Sequence, residues 1–483
     1  MPHLPKHVAI VGGGIAGLTT AYVLQARAVA DGLPLTCTVV ESERRWGGKI
    51  STHSVDGFVI EAGPDSFLST KPWALNLCRE LGLGDQVVNT NASQEKAFVY
   101  SRGRLRRLPE GLVLIVPTKL GPFLRSGLLS VPGTIRMALD VFIKRHEQTG
   151  DESLGSFFRR RLGREAFERL VEPLMAGIYA GDADRMSLRA TFPRFLELEQ
   201  KHGSLIKGVL AAQREAGSAA PRPGNAPTAF VTLDGGLTTM IDALRSRLEA
   251  TGGELRSAQR VVSIRPPARP SAGTYQLFLE GGPPLSADAV VLATPAFVTG
   301  DLVRPLSWDA AALLLAVPYA STATVSLAYD TDRLAAGVRG FGFVVPRAEA
   351  RQILAATWSS LKWPHRAPAA GTLVRCYLGG IGREDIVKAD DDTMIRRVKD
   401  ELSALAGITR PPLFAEVHRW ERGMPQYDVG HLQRVDHIQS LLKPYRGLYL
   451  TGAAYRGIGI PDCIRDGTDT ARQVLGYLFD KPL

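Results

Sequence analysis

Cysteine is scarce in this chain of 483 residues, which contains four. Cys37, Cys78, Cys376 and Cys463 are far apart, with no Cys-x-x-Cys pair and no histidine close in sequence. This spacing argues against a zinc site or a disulfide framework, and it is typical of proteins of a reducing compartment. We therefore expect a cytoplasmic protein with no metal site.

Long apolar runs are also missing. The longest, such as residues 310–317, are far shorter than the roughly 20 apolar residues that a membrane-spanning helix needs. The apolar N-terminal run is broken by four glycines between residues 12 and 17, so we predict no export signal. Any membrane contact is expected to be peripheral or monotopic.

Acidic residues are fewer than basic ones. The chain has 48 Asp and Glu against 58 Lys and Arg, a formal net charge of +10. A basic balance favours an acidic partner, which could be nucleic acid, anionic lipid or a polycarboxylate ligand. No nucleic-acid-binding module is recognisable, so nucleic acid is the least supported of the three and we expect none.

One stretch concentrates the basic residues. Residues 96–145 contain ten Lys and Arg against two acids, Glu110 and Asp140, interleaved with short apolar runs. Basic and apolar residues mixed over short, Pro-broken helices suit a surface that lies on anionic lipid. A solvated basic face over an ordinary core fits the pattern equally well.

The most informative stretch is at the N-terminus. Residues 8–11 predict a buried strand, and residues 18–24 continue with helical periodicity. Between them, Gly12 permits a tight turn, Gly14 lets a pyrophosphate approach the backbone, and Gly17 allows close helix–strand packing. The helix N-terminus supplies free N–H groups to that phosphate.

A second strand, residues 36–40, ends in Glu41. A carboxylate at this position can accept both hydroxyls of an adenosine ribose and would repel the 2′-phosphate of NADP. Alone, Glu41 would be interpreted as a solvated acid. The following Arg45-Trp46-Gly47-Gly48-Lys49 adds a glycine pair with flanking cations, and together these features favour a deeply held dinucleotide.

Strand and helix patterns alternate through the rest of the chain. The small residues of 177–182 predict a break in a helix, and residues 211–229 predict a loop. A second glycine-rich stretch, 452–459, leads into a C-terminal helix that ends near Phe479. Further strands are predicted at 58–60, 230–233, 261–264, 289–293, 323–327, 342–345 and 447–451. The return of this alternation predicts a discontinuous α/β domain with insertions.

Assembled in order, these segments resemble the flavin-dependent porphyrinogen oxidases of haem biosynthesis. The resemblance covers most of the chain and rests on runs at 61–67, 172–182, 187–193, 203–206, 233–237, 340–346, 425–432 and 459–464. Lys71 and the runs 200–202 and 461–463 resemble the coproporphyrinogen III oxidases of bacteria more than the protoporphyrinogen IX oxidases.

The resemblance implies an α/β fold with three parts. A discontinuous, Rossmann-like FAD-binding domain is expected at 1–70, 226–296 and 441–483. A mixed α+β substrate-binding domain is expected at 71–94 and 297–440. Residues 95–225 are expected to form an inserted helical domain and loop, the part that contacts the membrane in relatives.

It also implies the reaction. A porphyrinogen with propionate groups would lose six hydrogens in three flavin turnovers, and molecular oxygen would take the electrons and form hydrogen peroxide. The expected conversion is coproporphyrinogen III to coproporphyrin III, with protoporphyrinogen IX to protoporphyrin IX as the alternative. Because flavin N5 accepts the hydride, no catalytic acid, base or metal is expected.

Carried over residue by residue, the resemblance implies a set of FAD contacts. The ADP half and pyrophosphate would be held by Gly12, Gly14, Gly17, Glu41, Arg45, Gly47, Gly48 and Lys49. The isoalloxazine ring would lie near Gly63, Pro64 and Asp65, and Val262 would meet the adenine through its backbone. The ribityl chain and ring would be covered by Gly452, Gly459, Ile460 and Pro461.

For the substrate, Lys71 would pair with a propionate and Gly177 would bring a main-chain carbonyl to the pyrrole N–H groups. Val344 and Trp363 are candidates for the apolar walls of the macrocycle site. His431 is interpreted as a hydrogen-bonded structural residue and Cys463 as a packing residue. Some relatives have Asn in place of Asp65 and Arg in place of Lys71, which leaves the substrate choice open.

Two other classes share parts of the pattern. An amine oxidase or carotenoid desaturase would share the N-terminal glycines, but would not be expected to share the runs 177–182 and 459–464. A non-enzymatic binding protein on the same scaffold, like the inhibitors of nucleotide release from small GTPases, would bind no FAD. The glycine pair after Arg45 argues against the second class.

Overall fold

The chain alternates between strands and helices along most of its length. The structure is a computed structural model and describes residues 5–94, 97–113, 115–146, 150–217, 227–268, 273–331, 334 and 338–479. The strands are β1 (Lys6–Val11), β2 (Leu35–Val40), β3 (Thr52–Val55), β4 (Phe58–Glu61), β5 (Phe67–Leu68), β6 (Val87–Asn89), β7 (Ala97–Ser101), β8 (Arg104–Arg107), β9 (Leu112–Val113), β10 (Val116–Pro117), β11 (Phe230–Leu233), β12 (Glu254–Arg256), β13 (Val261–Arg265), β14 (Tyr275–Leu279), β15 (Leu285–Ala287), β16 (Ala289–Leu292), β17 (Tyr319–Tyr329), β18 (Gly342–Val344), β19 (Ala355–Trp358), β20 (Thr372–Gly379), β21 (Phe414–Pro425) and β22 (Leu448–Leu450).

The helices range from one turn to twenty residues. They are α1 (Ile15–Asp31), α2 (Pro72–Glu80), α3 (Leu120–Ser126), α4 (Val131–Ala138), α5 (Leu154–Leu162), α6 (Arg164–Ala166), α7 (Glu172–Tyr179), α8 (Leu188–Thr191), α9 (Pro193–His202), α10 (Leu205–Gly217), α11 (Thr238–Ala250), α12 (Ala296–Val303), α13 (Trp308–Leu315), α14 (Ser359–Lys362), α15 (Asp391–Ala406), α16 (His431–Leu442) and α17 (Ile460–Phe479). Within the described ranges, no helix combines the length and the apolarity that crossing a bilayer demands.

A parallel five-stranded sheet forms the first layer, in the order β12-β2-β1-β16-β22. Its central strand β1 is fully buried at Val8, Ala9 and Ile10, as expected for a parallel strand covered on both faces. Helices α1 and α17 pack against each other on one face of the core. The strands come from three distant parts of the chain, which confirms the discontinuous, Rossmann-like α/β fold.

A second sheet has seven strands, in the order β21-β17-β20-β19-β18-β7-β8. All its pairs are antiparallel except β18 with β7, and its core cluster includes Val398 and Leu402 of α15. Strands β7 and β8 belong to the range 95–225, which was expected to be helical. Strand β7 pairs with β18 and β8 pairs with β7, so a partner distant in sequence brings this segment into the sheet and corrects that expectation.

Helices α3 to α10 form a third part with its own apolar core. Ser153 caps α5, because its hydroxyl accepts from the N–H of Ser156 at 3.1 Å. The helix break predicted at 177–182 is confirmed, because α7 ends at Tyr179 and Ala180 has φ +47°. One local expectation is wrong: α10 continues to Gly217, although residues 211–229 were expected to form a loop. Of that stretch, residues 218–226 lie outside the described residues.

A buried ionic group holds this helical part together. The Arg161 guanidinium lies 2.5 Å from the Asp140 carboxylate, and the Ser204 hydroxyl donates to the other Asp140 oxygen at 2.6 Å. Both charged side chains are fully buried, and Glu199 lies 3.3 Å from the same guanidinium. Burying charges is costly unless they are paired and hydrogen bonded, so each partner depends on the other.

We predict that Asp140→Ala destabilises the helical part by about 3–5 kcal/mol, because it leaves a buried guanidinium short of a partner. The thermal midpoint followed by circular dichroism should fall by several degrees. The matched control is Glu168→Ala, which removes the exposed partner of Arg164 and should cost less than about 1 kcal/mol. Equal midpoints for the two variants would contradict the assignment.

Candidate functional site

The turn between β1 and α1 has no space for most side chains. Gly12 has φ +111°, and a Cβ there would lie 2.8 Å from the carbonyl oxygen of Ala293. A Cβ on Gly17 would lie 2.0 Å from the Gly12 carbonyl oxygen. At Gly14, in contrast, a Cβ would meet the Cα of Gly48 at an ordinary 4.0 Å. Packing within the protein explains Gly12 and Gly17, whereas the space beside Gly14 is of the kind that a bound phosphate fills.

Glu41 lies at the end of β2 beside this turn. One carboxylate oxygen accepts from the N–H of Gly13 at 2.7 Å, and the other accepts from the N–H of Glu43 at 2.9 Å and the hydroxyl of Ser42 at 3.1 Å. These three bonds leave acceptor capacity free, since a carboxylate has about four lone-pair sites. The turn therefore presents an oriented acceptor next to the open space at Gly14.

The loop after Glu41 closes over the first turn. The N–H of Gly47 donates to the Gly13 carbonyl at 2.8 Å, and both Gly47 and Gly48 have positive φ. The Arg45 guanidinium donates to three carbonyls of its own loop, those of Trp46, Gly48 and Ile50. In this structure Arg45 holds the shape of the loop, and its predicted contact with a pyrophosphate stays a prediction.

Lys49 brings a buried positive charge to the same place. Its ammonium lies 5.9 Å from the centre of the Tyr319 ring, and burial lowers the pKa of Lys49 to about 8. A buried amine whose charge is disfavoured gains most from an anionic ligand, which would restore its pKa. The position is therefore electrostatically suited to a phosphate group.

The chain from Glu61 to Asp65 packs against the loop that contains Lys49. A Cβ on Gly63 would lie 1.8 Å from the Lys49 carbonyl oxygen, so only glycine allows the two segments to touch. The carbonyl of Ala62 accepts from the Trp420 indole N–H at 2.8 Å and from Arg375 at 3.1 Å. Arg375 also donates to the carbonyl of Gly63. Strands β20 and β21 thus fix the position of this segment through hydrogen bonds from Arg375 and Trp420.

Two ion pairs flank that segment, one partly buried and one fully buried. The Lys362 ammonium lies 3.0 Å from the Asp65 carboxylate, and Arg366 lies 2.9 Å from Glu61. Burial acts to raise the pKa of Asp65, but the charges of Lys362 and Arg375 outweigh it and hold that pKa well below its usual value. For Glu61, burial is the larger effect and raises the pKa.

These cations were missed at the sequence level. Lys362, Arg366 and Arg375 lie about 300 residues after the acids they meet, and no local motif joins them. One signal was present: Arg375 interrupts the apolar strand β20 and is only 4 % exposed. A charged residue inside a buried strand indicates a partner elsewhere in the chain.

The second glycine-rich stretch lies beside the start of α1, where a Cβ on Gly452 would meet the Cβ of Ala16 at 3.9 Å. The N–H of Gly452 and the hydroxyl of Thr451 each donate to the Asp466 carboxylate at 2.8 Å. Gly452 has φ +120°, and α17 begins at Ile460 directly after Gly459, with Pro461 next. The N-terminus of this long helix therefore adds a second positive dipole end to the site.

Lys71 lies at the start of α2 and pairs with a protein carboxylate. Its ammonium is 2.6 and 2.8 Å from the two oxygens of Asp462, in the first turn of α17. The Lys71 side chain is 39 % exposed and that of Asp462 is 10 % exposed. A substrate carboxylate that binds Lys71 would have to share its ammonium with Asp462 or displace it.

The other predicted substrate residues are placed differently. Gly177 is exposed near the end of α7, where the last helical carbonyls lack partners within the helix. Val344 packs on the apolar cluster that contains Tyr179 of α7. Trp363 is 1 % exposed, and the Lys362 ammonium lies 5.0 Å from its ring centre. The predicted role of Trp363 as a wall of the macrocycle site stays a prediction.

Val262 lies at an irregularity of β13. The register with β14 shifts between Val261 and Ser263, and the Val262 residue is 52 % exposed. A bulged residue leaves backbone groups outside the strand ladder. An adenine contact through the backbone of Val262, which stays a prediction, is compatible with this geometry.

His431 and Cys463 are structural, as the sequence predicted. The His431 imidazole lies 2.9 Å from the carbonyl oxygen of Tyr455 and stacks on Tyr427 with ring centres 3.9 Å apart. Burial lowers the pKa of His431 to about 4, so the ring is neutral at physiological pH. Cys463 is buried, and burial raises the pKa of its thiol to about 12.

The geometry defines a class of protein. Two glycine-rich turns lead into helix N-termini, a carboxylate ends β2, space without side chains remains beside Gly14, and Lys49 follows the glycine pair of the same loop. These residues fit a dinucleotide cofactor, so the fold and site are those of a dinucleotide-binding oxidoreductase.

Comparison with known proteins identifies the family. Residues 15–475 match the model of the flavin containing amine oxidoreductases, and the chain belongs to this family of flavoproteins. It is 39% identical over 475 residues to coproporphyrinogen III oxidase of Bacillus subtilis (strain 168), with 98% of this chain and 99% of that protein covered. It is 32% identical over 491 residues to chloroplastic protoporphyrinogen oxidase of Oryza sativa subsp. japonica, covering 97% and 88%.

Solved structures superpose on nearly the whole chain. A structure from Exiguobacterium sp. 255-15 superposes with a TM-score of 0.85 at 34% identity, covering 97% of this chain and 98% of that one. Putrescine oxidase superposes with a TM-score of 0.69 at 15% identity, a likeness of fold alone.

We predict that Gly14→Val lowers flavin retention to about a tenth or less, because its branched side chain fills the space that a phosphate needs. Flavin absorbance per chain after purification measures this. The control is Gly121→Val, at an exposed glycine where a Cβ would meet nothing within 4 Å. Full flavin content in Gly14→Val would remove Gly14 from the site.

Proposed function

We propose that this protein is an FAD-dependent porphyrinogen oxidase of haem biosynthesis, which oxidises coproporphyrinogen III to coproporphyrin III. The observation that carries the proposal is its identity of 34–39% with three proteins named coproporphyrinogen III oxidase, along 97–98% of this chain. The glycine-lined space beside Gly14 is compatible with the pyrophosphate of FAD. The alternative substrate is protoporphyrinogen IX, since relatives named protoporphyrinogen oxidase are 31–32% identical to this chain.

FAD would be held by the two glycine-rich turns. In the proposal, Glu41 accepts from the ribose, the N–H groups at the start of α1 and the Lys49 ammonium face the pyrophosphate, and Gly63 to Asp65 border the ring. When bound, the flavin accepts a hydride from the substrate, and the protein supplies orientation and exclusion of water. Three two-electron rounds remove six hydrogens, and three molecules of oxygen become three of hydrogen peroxide.

The ion pairs give this segment a fixed shape. Arg375 donates to the carbonyls of Ala62 and Gly63, and Lys362 neutralises Asp65. Because the carbonyls and the carboxylate are already paired, the chain at 62–65 keeps one conformation beside the ring. Such support from a rigid sheet is what orientation of a reacting atom requires.

Recognition of the substrate would rest on its charge and its shape. Propionate groups carry negative charge, and Lys71 offers a half-exposed ammonium at the edge of the site. The carbonyls at the end of α7, including that of Gly177, would accept from pyrrole N–H groups, and Val344 would contact the macrocycle. An ion pair of this kind sets orientation and specificity more than total affinity.

One experiment separates the candidate functions. The purified protein is assayed side by side with coproporphyrinogen III, protoporphyrinogen IX and an amine, following porphyrin fluorescence and hydrogen peroxide. Faster turnover of coproporphyrinogen III supports the proposal, and faster turnover of protoporphyrinogen IX supports the alternative. Oxidation of the amine alone would indicate an amine oxidase, and a purified protein without flavin would indicate a binding protein.

We predict that Lys71→Glu raises the KM for coproporphyrinogen III at least about tenfold while flavin content stays normal, because it replaces attraction of a propionate by repulsion. Lys71→Arg should keep most of the affinity. The control is Lys443→Glu, at an exposed lysine just after α16. An unchanged KM in Lys71→Glu would take Lys71 out of the substrate site.

We also propose peripheral contact with the cytoplasmic face of an anionic membrane. Val131, Ile135, Leu139 and Phe142 follow one side of α4 and the turn after it, with Leu124 of α3 also exposed. Their exposed fractions include 60 % for Val131, 56 % for Ile135 and 80 % for Phe142. Arg125, Lys144 and Arg145 are exposed nearby in sequence. Apolar side chains beside basic ones match an anionic lipid surface.

We predict that the double change Ile135→Asp and Phe142→Asp reduces binding to vesicles with anionic lipid at least about tenfold, because it removes apolar burial and adds repulsion. Cosedimentation with anionic and neutral vesicles measures this. The control is Trp308→Asp, which changes an exposed apolar residue of α13. Wild-type protein that fails to bind anionic vesicles at low salt would contradict the proposal.

A further inference from the structure

Two imidazoles and one carboxylate meet at an edge of the seven-stranded sheet, outside the residues assigned to flavin and substrate. Glu416 and His418 lie on the edge strand β21, and His53 lies on β3. One ligand atom from each lies within 4.8 Å of the other two. In the part of the chain that the structure describes, this is the one such group of three His, Cys, Asp or Glu residues.

The two separations that involve Glu416 match those between the ligands of a small metal ion. The Glu416 Oε2 atom lies 3.0 Å from His418 Nε2 and 3.5 Å from His53 Nδ1. A tetrahedral zinc ion with bonds near 2.1 Å places its ligand atoms about 3.4 Å apart. The two rings stand edge to face with centres 4.7 Å apart, and their ligand nitrogens lie within 4.8 Å of each other.

The three side chains are held by regular structure. Glu416 and His418 are two residues apart on a strand and therefore share one face. The β3–β4 hairpin that carries His53 is held against β21 by the edge-on contact of Phe58 with Phe414, whose ring centres are 5.6 Å apart. Side chains on strands are held in a more precise geometry than side chains on loops.

The hydrogen bond behind His53 and the solvent exposure of the three side chains also suit a metal ion. The Ser51 hydroxyl lies 3.3 Å from His53 Nε2, so it can accept from that nitrogen while Nδ1 faces the Glu416 carboxylate. The side chains of His53, Glu416 and His418 are 43 %, 22 % and 15 % exposed. An ion can enter from solvent, and water can complete its coordination.

We propose that His53, Glu416 and His418 form a binding site for a borderline divalent transition-metal ion, with Zn²⁺ as the reference ligand. Imidazole nitrogens select such ions over Mg²⁺, which prefers oxygen ligands. The inference reverses the expectation of no metal site. Sequence spacing does not indicate this site because His53 is hundreds of residues from the other two ligands.

The site has a structural consequence. A bound ion connects β3, and through it β4, to β21. Strand β4 ends at Glu61, where the segment that includes Gly63 and Asp65 begins, and Trp420 of β21 donates to the Ala62 carbonyl of that segment. Metal binding therefore stabilises the support of the flavin-facing segment without supplying any group to the reaction.

The test is calorimetric titration of the untagged, flavin-loaded full chain with Zn²⁺, and separately with Mg²⁺. We expect one Zn²⁺ per chain, a raised thermal midpoint and no comparable binding of Mg²⁺. Glu416→Gln and His418→Ala should each weaken Zn²⁺ binding at least about tenfold. The four cysteines are buried and do not offer competing thiolates.

The control is His437→Ala, which removes an exposed histidine of α16 and should leave the titration unchanged. Unchanged flavin content in each variant shows that the variant is folded. Co²⁺ in place of Zn²⁺ should give the visible spectrum of a tetrahedral site in the wild type and lose it in Glu416→Gln. Equal Zn²⁺ affinity in wild type, Glu416→Gln and His418→Ala, or no binding to the wild type, would overturn the proposal.

Discussion

The site depends on one constraint, which is that backbone must approach backbone where side chains have no room. Helix α1 touches the Gly12 carbonyl through Gly17, and the 61–65 segment touches the Lys49 carbonyl through Gly63. Both contacts would bring a Cβ within about 2 Å of an oxygen, so neither tolerates another residue. Gly14 differs from them because the protein itself leaves its side free. Gly17 and Gly63 allow the close backbone contacts that form the site, and Gly14 leaves space open within it.

Ion pairs are the second kind of interaction that stabilises the site. Lys362, Arg366 and Arg375 come from β20 and the chain before it, and they meet acids and carbonyls between Glu61 and Asp65. Arg366 and Glu61 are buried at a cost that each offsets for the other, so removing one leaves the other uncompensated. The segment 61–65 is thus tied to the seven-stranded sheet by electrostatics as well as by packing. Lys71 and Asp462 join α2 to α17 by the same means, at a more exposed position.

Sequence reasoning succeeded where the cause of structure is local. The glycine spacing after β1, the carboxylate at the end of β2, the helix break at 177–182 and the alternating strands all follow from neighbours within a few residues. It failed at 211–217, where α10 continues to Gly217 through good helix formers such as Ala211 and Ala212. It also missed β7, which pairs with the distant strand β18, and β8, which pairs with β7.

The amino-acid sequence by itself determined the class of fold, the cofactor-binding fingerprint and the family resemblance, because turns, periodicity and motifs are encoded over short spans. Only the tertiary structure decided which charges meet. It placed Lys71 on Asp462, turned Arg45 onto its own loop, buried Trp363 and gathered His53 with Glu416 and His418. The physical reason is that ion pairs and burial depend on distance in space, and a single sequence does not specify the contacts between segments hundreds of residues apart.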